Sequence, residues 1–485
     1  MWPGVTMEEQ SSSSGAAPTP APKSKALWIV IAVIVVVVVV LAAAVLGGLF
    51  APTKSHLRIG TLLSLTGGLA LFGPGDTKGA NLAVEEINKA GGVLGQPIEI
   101  FNEDDQTDSV AAQAAATKLI TQNHVNAIVG AQFSGGSLAS IKTAGDNGVV
   151  MVSPSATSVK LSDLSVTGGW FFRTISSDRL QGSVAADYLY TNSSFKYAAV
   201  LYINNPYGVG LASIFKTKFE AHGGTVNQSI PIPEKQADYT SQLLQLFDPT
   251  TSNPQVVYFV AYPDTGLTVM KQWQQQKGSH GGAWDRQWVF SEGLQDQVFV
   301  DQLHDIAVGV DVTKIWGTAP AAPVSSLYDA FVSSYKARYT NQTPQLYASH
   351  TYDAVYMIAL AAQKAGAVDG ASIKAQLRAV SGGLSSGGTV INAGQWSKAV
   401  TTLAAGTAIN WEGSSGSENL NATNDPAVGS YEIWGVNSTF KIIRKAFFGE
   451  SLIQPVSASA VGSAAPYIPN AFLLQIRALT MPRRA

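Results

Sequence analysis

The chain has 485 residues, 46% of them hydrophobic, and a formal net charge of −2 at pH 7. That length can bury more than one core and suggests two or three domains, and a nearly neutral chain has no whole-molecule attraction for nucleic acid. Cysteine is absent and the six histidines are scattered, which excludes disulfides, zinc–thiolate sites, cysteine nucleophiles and a lipid-modified N-terminal cysteine.

Residues 1–25, rich in Ser, Pro and Ala, read as a disordered tail. Residues 26–50, ALWIVIAVIVVVVVVLAAAVLGGLF, carry no charge. About 20 apolar residues span a bilayer core, so a transmembrane anchor is expected there. A cleavable signal peptide is the rival, although its apolar core is shorter, roughly 7–15 residues. Lys23 and Lys25 precede the span, a bias towards a cytoplasmic N-terminus. Five N-x-S/T sequons, at Asn192, Asn227, Asn341, Asn421 and Asn437, all follow it. That asymmetry fits a single-pass protein whose main body lies outside the cytoplasm.

After the anchor, short strands alternate with helices. LRIGTLLSL is a strand, GDTKGANLAVEEINKAGG a helix closed by Gly91 and Gly92, and QPIEIFNEDD a strand. DSVAAQAAATKLITQN is a helix that Asp108 or Ser109 could cap. VNAIVG, a helix from GGSLAS, and VVMVSPSAT follow. The pattern restarts with FKYAAVLYIN, GVGLASIFKTKFEAHGG, TVNQSIPI, PQVVYFVAY, DTGLTVMKQWQQQKG and QWVFSEG. Such alternation means right-handed βαβ units and parallel sheets. Two α/β sheets are therefore expected, divided near WFFRTISSDRLQG. PQLYASHTYDAVYMIALAAQKAG is a long helix returning to the first sheet, and GSYEIWGVNSTFKIIRKAF a closing hairpin. Residues from about 382 to 426 are Gly-, Ser- and Asn-rich and carry no periodic pattern, and residues 451–485 suggest no role.

Enzyme signatures fail on context. GLSSG at 383–387 lies in a Gly/Ser-rich loop and not on a strand–turn–helix. GPGDTKG at 73–79 lacks the spacing and following acid of a dinucleotide fingerprint. No cofactor or metal is expected. The informative positions are the strand ends, where open α/β sheets bind ligands. They supply Ser134, Ser155, Thr157, Tyr207, Tyr262 and Glu292, with Phe72 and Phe133 beside them. Hydroxyls at helix N-termini suit an anion, aromatic rings an apolar or cationic group, and one carboxylate an ammonium. Taken singly, Ser134 and Thr157 could be helix caps, the tyrosines rim packing, and Glu292 a solvated loop charge. Together they describe a site for a zwitterion with an apolar side chain.

The ordered motifs IGTLLSLTGGLALFGPGDTKGANLAVEEINKAGGVLGQPIEI, EDDQTD, AIVGAQFSGGS, VVMVSPSAT and NNPYGVG resemble the type I periplasmic solute-binding proteins of the Leu/Ile/Val branch, over roughly residues 57–448. The resemblance implies a non-enzymatic α/β protein of two Rossmann-like lobes around a cleft, which delivers an amino acid to the membrane subunits of an ABC importer. A ligand-sensing receptor is the alternative within that fold, and amides, urea or small aromatic acids are the alternative ligands. The resemblance implies a three-segment hinge, with residues 56–177 and about 318–400 forming one lobe and 178–317 and about 401–450 the other. It places Ser134 and Thr157 on the ligand carboxylate, the Ser155 backbone and Glu292 on the ammonium, and Tyr207 and Tyr262 on the second lobe. Phe72, Phe133 and Tyr347 match the side-chain pocket, and so does Gln132, where the branch is commonly apolar.

Overall fold

The computed structural model describes residues 33–39, 55–305, 309–382 and 387–450. Residues 33–39 are helical. The rest of the expected anchor, the N-terminal tail and residues 451–485 lie outside the described residues. Among the described residues no helix is long and apolar enough to cross a membrane.

In the body from Ser55, the first sheet holds β1 (Arg58–Leu63), β2 (Glu99–Asp104), β3 (Ala127–Gly130), β4 (Val150–Ser153) and β5 (Phe171–Arg173) in the order β2-β1-β3-β4-β5. All its pairings are parallel. Between the strands run α1 (Gly73–Lys89), α2 (Ser109–Thr121) and α3 (Ser134–Asp146). Of the two candidate caps on α2 it is the Asp108 carboxylate that accepts the N–H groups of Val110 and Ala111. The helical spacing in α1 buries Ala80, Ala83, Val84 and Ile87.

The second sheet begins after α4 (Asp178–Asp187). It holds β6 (Tyr197–Ile203), β7 (Thr225–Ile232), β8 (Val256–Val260), β9 (Gln287–Phe290) and β10 (Trp316–Pro320), with α5 (Pro206–Ala221) and α6 (Pro263–His280) between strands. Its parallel part runs β7-β6-β8-β9-β10, the winding of the first sheet repeated. The chain then returns to the first lobe through α7 (Ser326–Arg338), α8 (Ala348–Ala365) and α9 (Gly370–Val380). A Cβ on Gly79 of α1 would lie 2.2 Å from the Ala348 carbonyl oxygen, so glycine there lets α1 and α8 approach. Val355, Ile358 and Leu360 of α8 share one apolar cluster with Ile59, Val129 and Val152 of the first sheet.

From residue 387 on, the unpatterned segment folds onto the first lobe. It forms β11 (Thr389–Ile391), α10 (Trp396–Ala404) and β12 (Ile409–Trp411), and Ile391, Trp396, Trp411 and Leu420 join the first lobe's core. The buried Asp353 carboxylate ties it down by accepting the Ser414 and Ser415 N–H groups at 3.0 and 2.7 Å. The expected lobe boundaries shift accordingly. Thr318–Pro320 still pair in the second sheet, and the chain rejoins that sheet only at β13 (Tyr431–Val436), not near residue 401. β13 and β14 (Ile442–Phe448) make the expected antiparallel hairpin.

Among the described residues three crossovers join the lobes, after β5, after β10 and before β13. They lie side by side. The Ser176 hydroxyl donates to the Val428 carbonyl at 3.0 Å, and the Ala321 N–H donates to the Ser430 carbonyl at 2.8 Å.

Candidate ligand-binding site

The strand ends of the two sheets face each other across a cleft, and the cleft is closed. Leu69, Phe72, Phe133 and Tyr347 of the first lobe belong to the same apolar cluster as the second lobe's core. The Ser158 hydroxyl donates across the cleft to the Pro206 carbonyl at 2.8 Å. Between the lobes remain about 290 Å³ not filled by protein atoms, counted out to the solvent at the mouth.

Nine of the ten residues expected at the site line this space: Gln132, Phe133, Ser134, Ser155, Thr157, Tyr207, Tyr262, Glu292 and Tyr347. Phe72 does not. It packs behind the wall, its ring 5.6 Å from that of Tyr347. Leu69 and Gly293 also line the space, unexpected from sequence.

On the first lobe, Ser134 opens α3, where the first-turn N–H groups have no intrahelical partner. Its hydroxyl accepts the Ser158 N–H at 3.2 Å. Thr157 lies just before a 3-10 turn capped by Ser158, so it is not itself the cap. The Ser155 hydroxyl donates to the Gln132 carbonyl at 2.6 Å. On the second lobe, Tyr207 starts α5 and Tyr262 precedes α6, and their rings stack at 5.6 Å with 6° between planes.

Glu292 follows β9 and is 2% exposed. Its carboxylate accepts the Gln181 amide at 2.5 Å. Burial pushes its pKa up to about 7, against the Tyr207 hydroxyl and Gln181, which favour the charged form. The glycine after it is required. A Cβ on Gly293 would lie 2.5 Å from the Ala261 carbonyl oxygen.

Two supporting residues escaped the sequence reading. Gln181 also donates to the Thr318 carbonyl at 3.2 Å, which fixes its amide beneath Glu292. Asp178, one helical turn earlier, is fully buried and neither carboxylate oxygen has a hydrogen-bond partner. Burial first, and then the Glu292 charge, hold its pKa well above the usual range. The available signal was Asp178 and Gln181 spaced one turn apart at the start of a helix just after the first crossover. The second-lobe side of the cavity is thus acidic. No Lys or Arg lines it among the described residues.

Another buried acid lies behind the first-lobe wall. Asp76, in the first turn of α1, accepts the Gln132 side-chain amide at 2.6 Å. Burial pushes its pKa up to about 8. Unfolded, the same group ionises near 4, so between pH 4 and 8 the unfolded chain releases a proton that the folded protein keeps. Stability therefore falls as pH rises through that window. Asp76→Asn is expected to raise the melting temperature at pH 8 and to flatten its decline between pH 5 and 8. Melting curves at both pH values check this, and equal slopes for both proteins would refute it.

Two discontinuous α/β lobes, joined by three crossovers and closed over a buried polar cavity, define a two-lobed binding protein. The sequence pattern of periplasmic binding proteins matches residues 56–408, and the chain belongs to that family. A Leu/Ile/Val-binding protein of Rhizobium johnstonii is 29% identical over 325 residues, covering 66% of this chain and 83% of the relative. The branched-chain amino acid transporter substrate-binding protein of Streptococcus pneumoniae, solved with isoleucine, superposes with a TM-score of 0.64 at 24% identity, covering 81% of this chain and 99% of that one. A solute-binding protein of an ABC transporter from R. palustris, solved with benzoate, gives a TM-score of 0.64 at 20% identity over 84% and 99% of the two chains. At these identities the two structures speak for the fold.

Proposed function

We propose that this protein captures a free α-amino acid of branched-chain size outside the cytoplasm and delivers it to an ABC importer. Residues 26–50 would hold it at the membrane. The observation that carries the reading is Glu292, a buried carboxylate on a cavity with no cation of its own, across from the Ser134 and Thr157 hydroxyls and the start of α3. An ammonium would neutralise the Glu292 side. A carboxylate would accept from the hydroxyls and from free N–H groups at a helix end that favours negative charge. Phe133, Tyr347 and the stacked tyrosines offer the side chain an apolar wall. The named ligands of the Rhizobium relative agree. An aromatic monocarboxylate would leave Glu292 buried without a cationic partner, at a cost of several kcal/mol.

Closure follows from differential affinity. Ligand bound to the first lobe gains the second lobe's contacts only when the lobes meet, which shifts the open–closed equilibrium. A thermal-shift screen of amino acids, amides and aromatic acids tests the ligand class. A ligand at a hundred times its Kd should stabilise the protein by about 2.7 kcal/mol. Stabilisation by benzoates or urea and by no amino acid would refute the reading. Within it, Ser134→Ala should weaken binding by about 1.5–3 kcal/mol, the worth of one hydrogen bond to a charged group. Calorimetry measures that loss directly.

A further inference from the structure

Gln132 is held on three sides and left open on one. Its backbone N–H donates to the Asp105 carboxylate at 3.1 Å, and its backbone carbonyl accepts the Ser155 hydroxyl at 2.6 Å. Its side-chain nitrogen donates to Asp76 at 2.6 Å. These contacts leave the residue no freedom to turn away. It is 1% exposed and lines the cavity beside Leu69, Phe133 and Tyr347. Its side-chain oxygen has no hydrogen-bond partner.

An amide oxygen buried without a donor is costly, and folded proteins rarely leave one so. An apolar ligand side chain would seal it in that state. A ligand side chain carrying an O–H or N–H would satisfy it. Because Asp76 takes the nitrogen, what Gln132 has left to offer the cavity is an acceptor.

The geometry points to Gln132 as a selectivity residue that favours amino acids with a hydrogen-bond donor on the side chain over apolar isosteres. This inference rests on the amino-acid reading of the site. Threonine and valine make the sharpest comparison, since they differ by one hydroxyl in place of one methyl. A purely hydrophobic pocket discriminates weakly between such a pair, whereas a site with its own polar partner penalises the analogue that leaves it unpaired.

The test is calorimetry of threonine and valine on the wild type and on Gln132→Leu. Threonine should bind the wild type roughly ten- to a hundredfold more tightly than valine, and the variant should reverse the order. Valine binding the wild type as tightly as threonine overturns the inference. So does a threonine preference that survives in Gln132→Leu. If that variant fails to fold, Gln132→Met, longer and closer in shape, carries the same comparison. Binding of neither amino acid, alongside binding of an amide or aromatic acid, overturns the amino-acid reading itself. That outcome is distinct from a valine preference, which removes the selectivity alone.

Discussion

Glu292→Gln is expected to weaken amino-acid binding at least about a hundredfold, because removing one partner of a buried ion pair costs about 3–5 kcal/mol. The substitution keeps the shape and removes the charge. Gln181 lies beneath the wild-type carboxylate, and no cationic side chain among the described residues lines the cavity to compensate. On the proposed amino-acid reading, the ligand ammonium is the cationic partner this carboxylate lacks. Calorimetry giving an unchanged Kd would remove Glu292 from ligand binding.

The same variant should behave differently without ligand. In the closed, empty protein burial pushes the Glu292 pKa from 4.5 to about 7. The part of that shift that closure adds is a cost of closing without ligand at pH 8. A neutral glutamine avoids that cost, so the unliganded variant should populate the closed form more than the wild type. In the wild type, protonation brings the same relief. Its empty closure should become easier as pH falls from 8 to 5, and the variant should lack that dependence. Small-angle scattering reads both as a decrease in radius of gyration. A wild-type radius that does not change with pH would contradict the account.

What was legible in the sequence follows from how each feature is encoded. The two sheets were readable because most strands are short apolar runs followed by a helix, as in β6 and α5. The cavity lining was readable because parallel sheets gather the loops that follow their strands at one end, so Ser134, Thr157, Tyr207 and Glu292 could be assigned by position alone. The segment 389–411 was not readable. Its buried residues, Ile391, Trp396, Ile409 and Trp411, are irregularly spaced among Gly, Ser and Asn, and what orders them is tertiary contact with the first lobe. That contact also moves the return to the second sheet to residue 431. Asp178 and Gln181 were missed for a related reason. They sit on a crossover helix and reach Glu292 from 114 and 111 positions away. Phe72 had the right neighbourhood and the wrong depth, because a strand-end position does not say which side of Tyr347 a ring will occupy.

Asp425→Ala should destabilise the fold by about 3–5 kcal/mol, since it strands a buried guanidinium. Arg173, the last residue of β5, has no exposed surface. Its Nε donates to the Asp425 carboxylate at 2.7 Å. Its remaining nitrogens donate to the Ala156 carbonyl at 2.9 Å, the Ser158 carbonyl at 3.2 Å and the Ser162 hydroxyl at 2.7 Å. One side chain therefore joins the first crossover, the loop that carries Thr157 and the segment leading to the third crossover. Solvent does not screen the pair, so added salt should recover little of the loss. The carbonyl contacts would remain in the variant but would face an uncompensated charge, so the Thr157 loop should loosen as well. Stability and affinity should then fall together. The double variant Arg173→Met, Asp425→Leu separates the causes. Replacing both charges with apolar groups should recover most of the stability, because it is the unpaired charge that is expensive. Urea unfolding of the single and double variants measures the difference. A double variant no more stable than Asp425→Ala would mean that Arg173 acts through its carbonyl contacts and not through its ion pair.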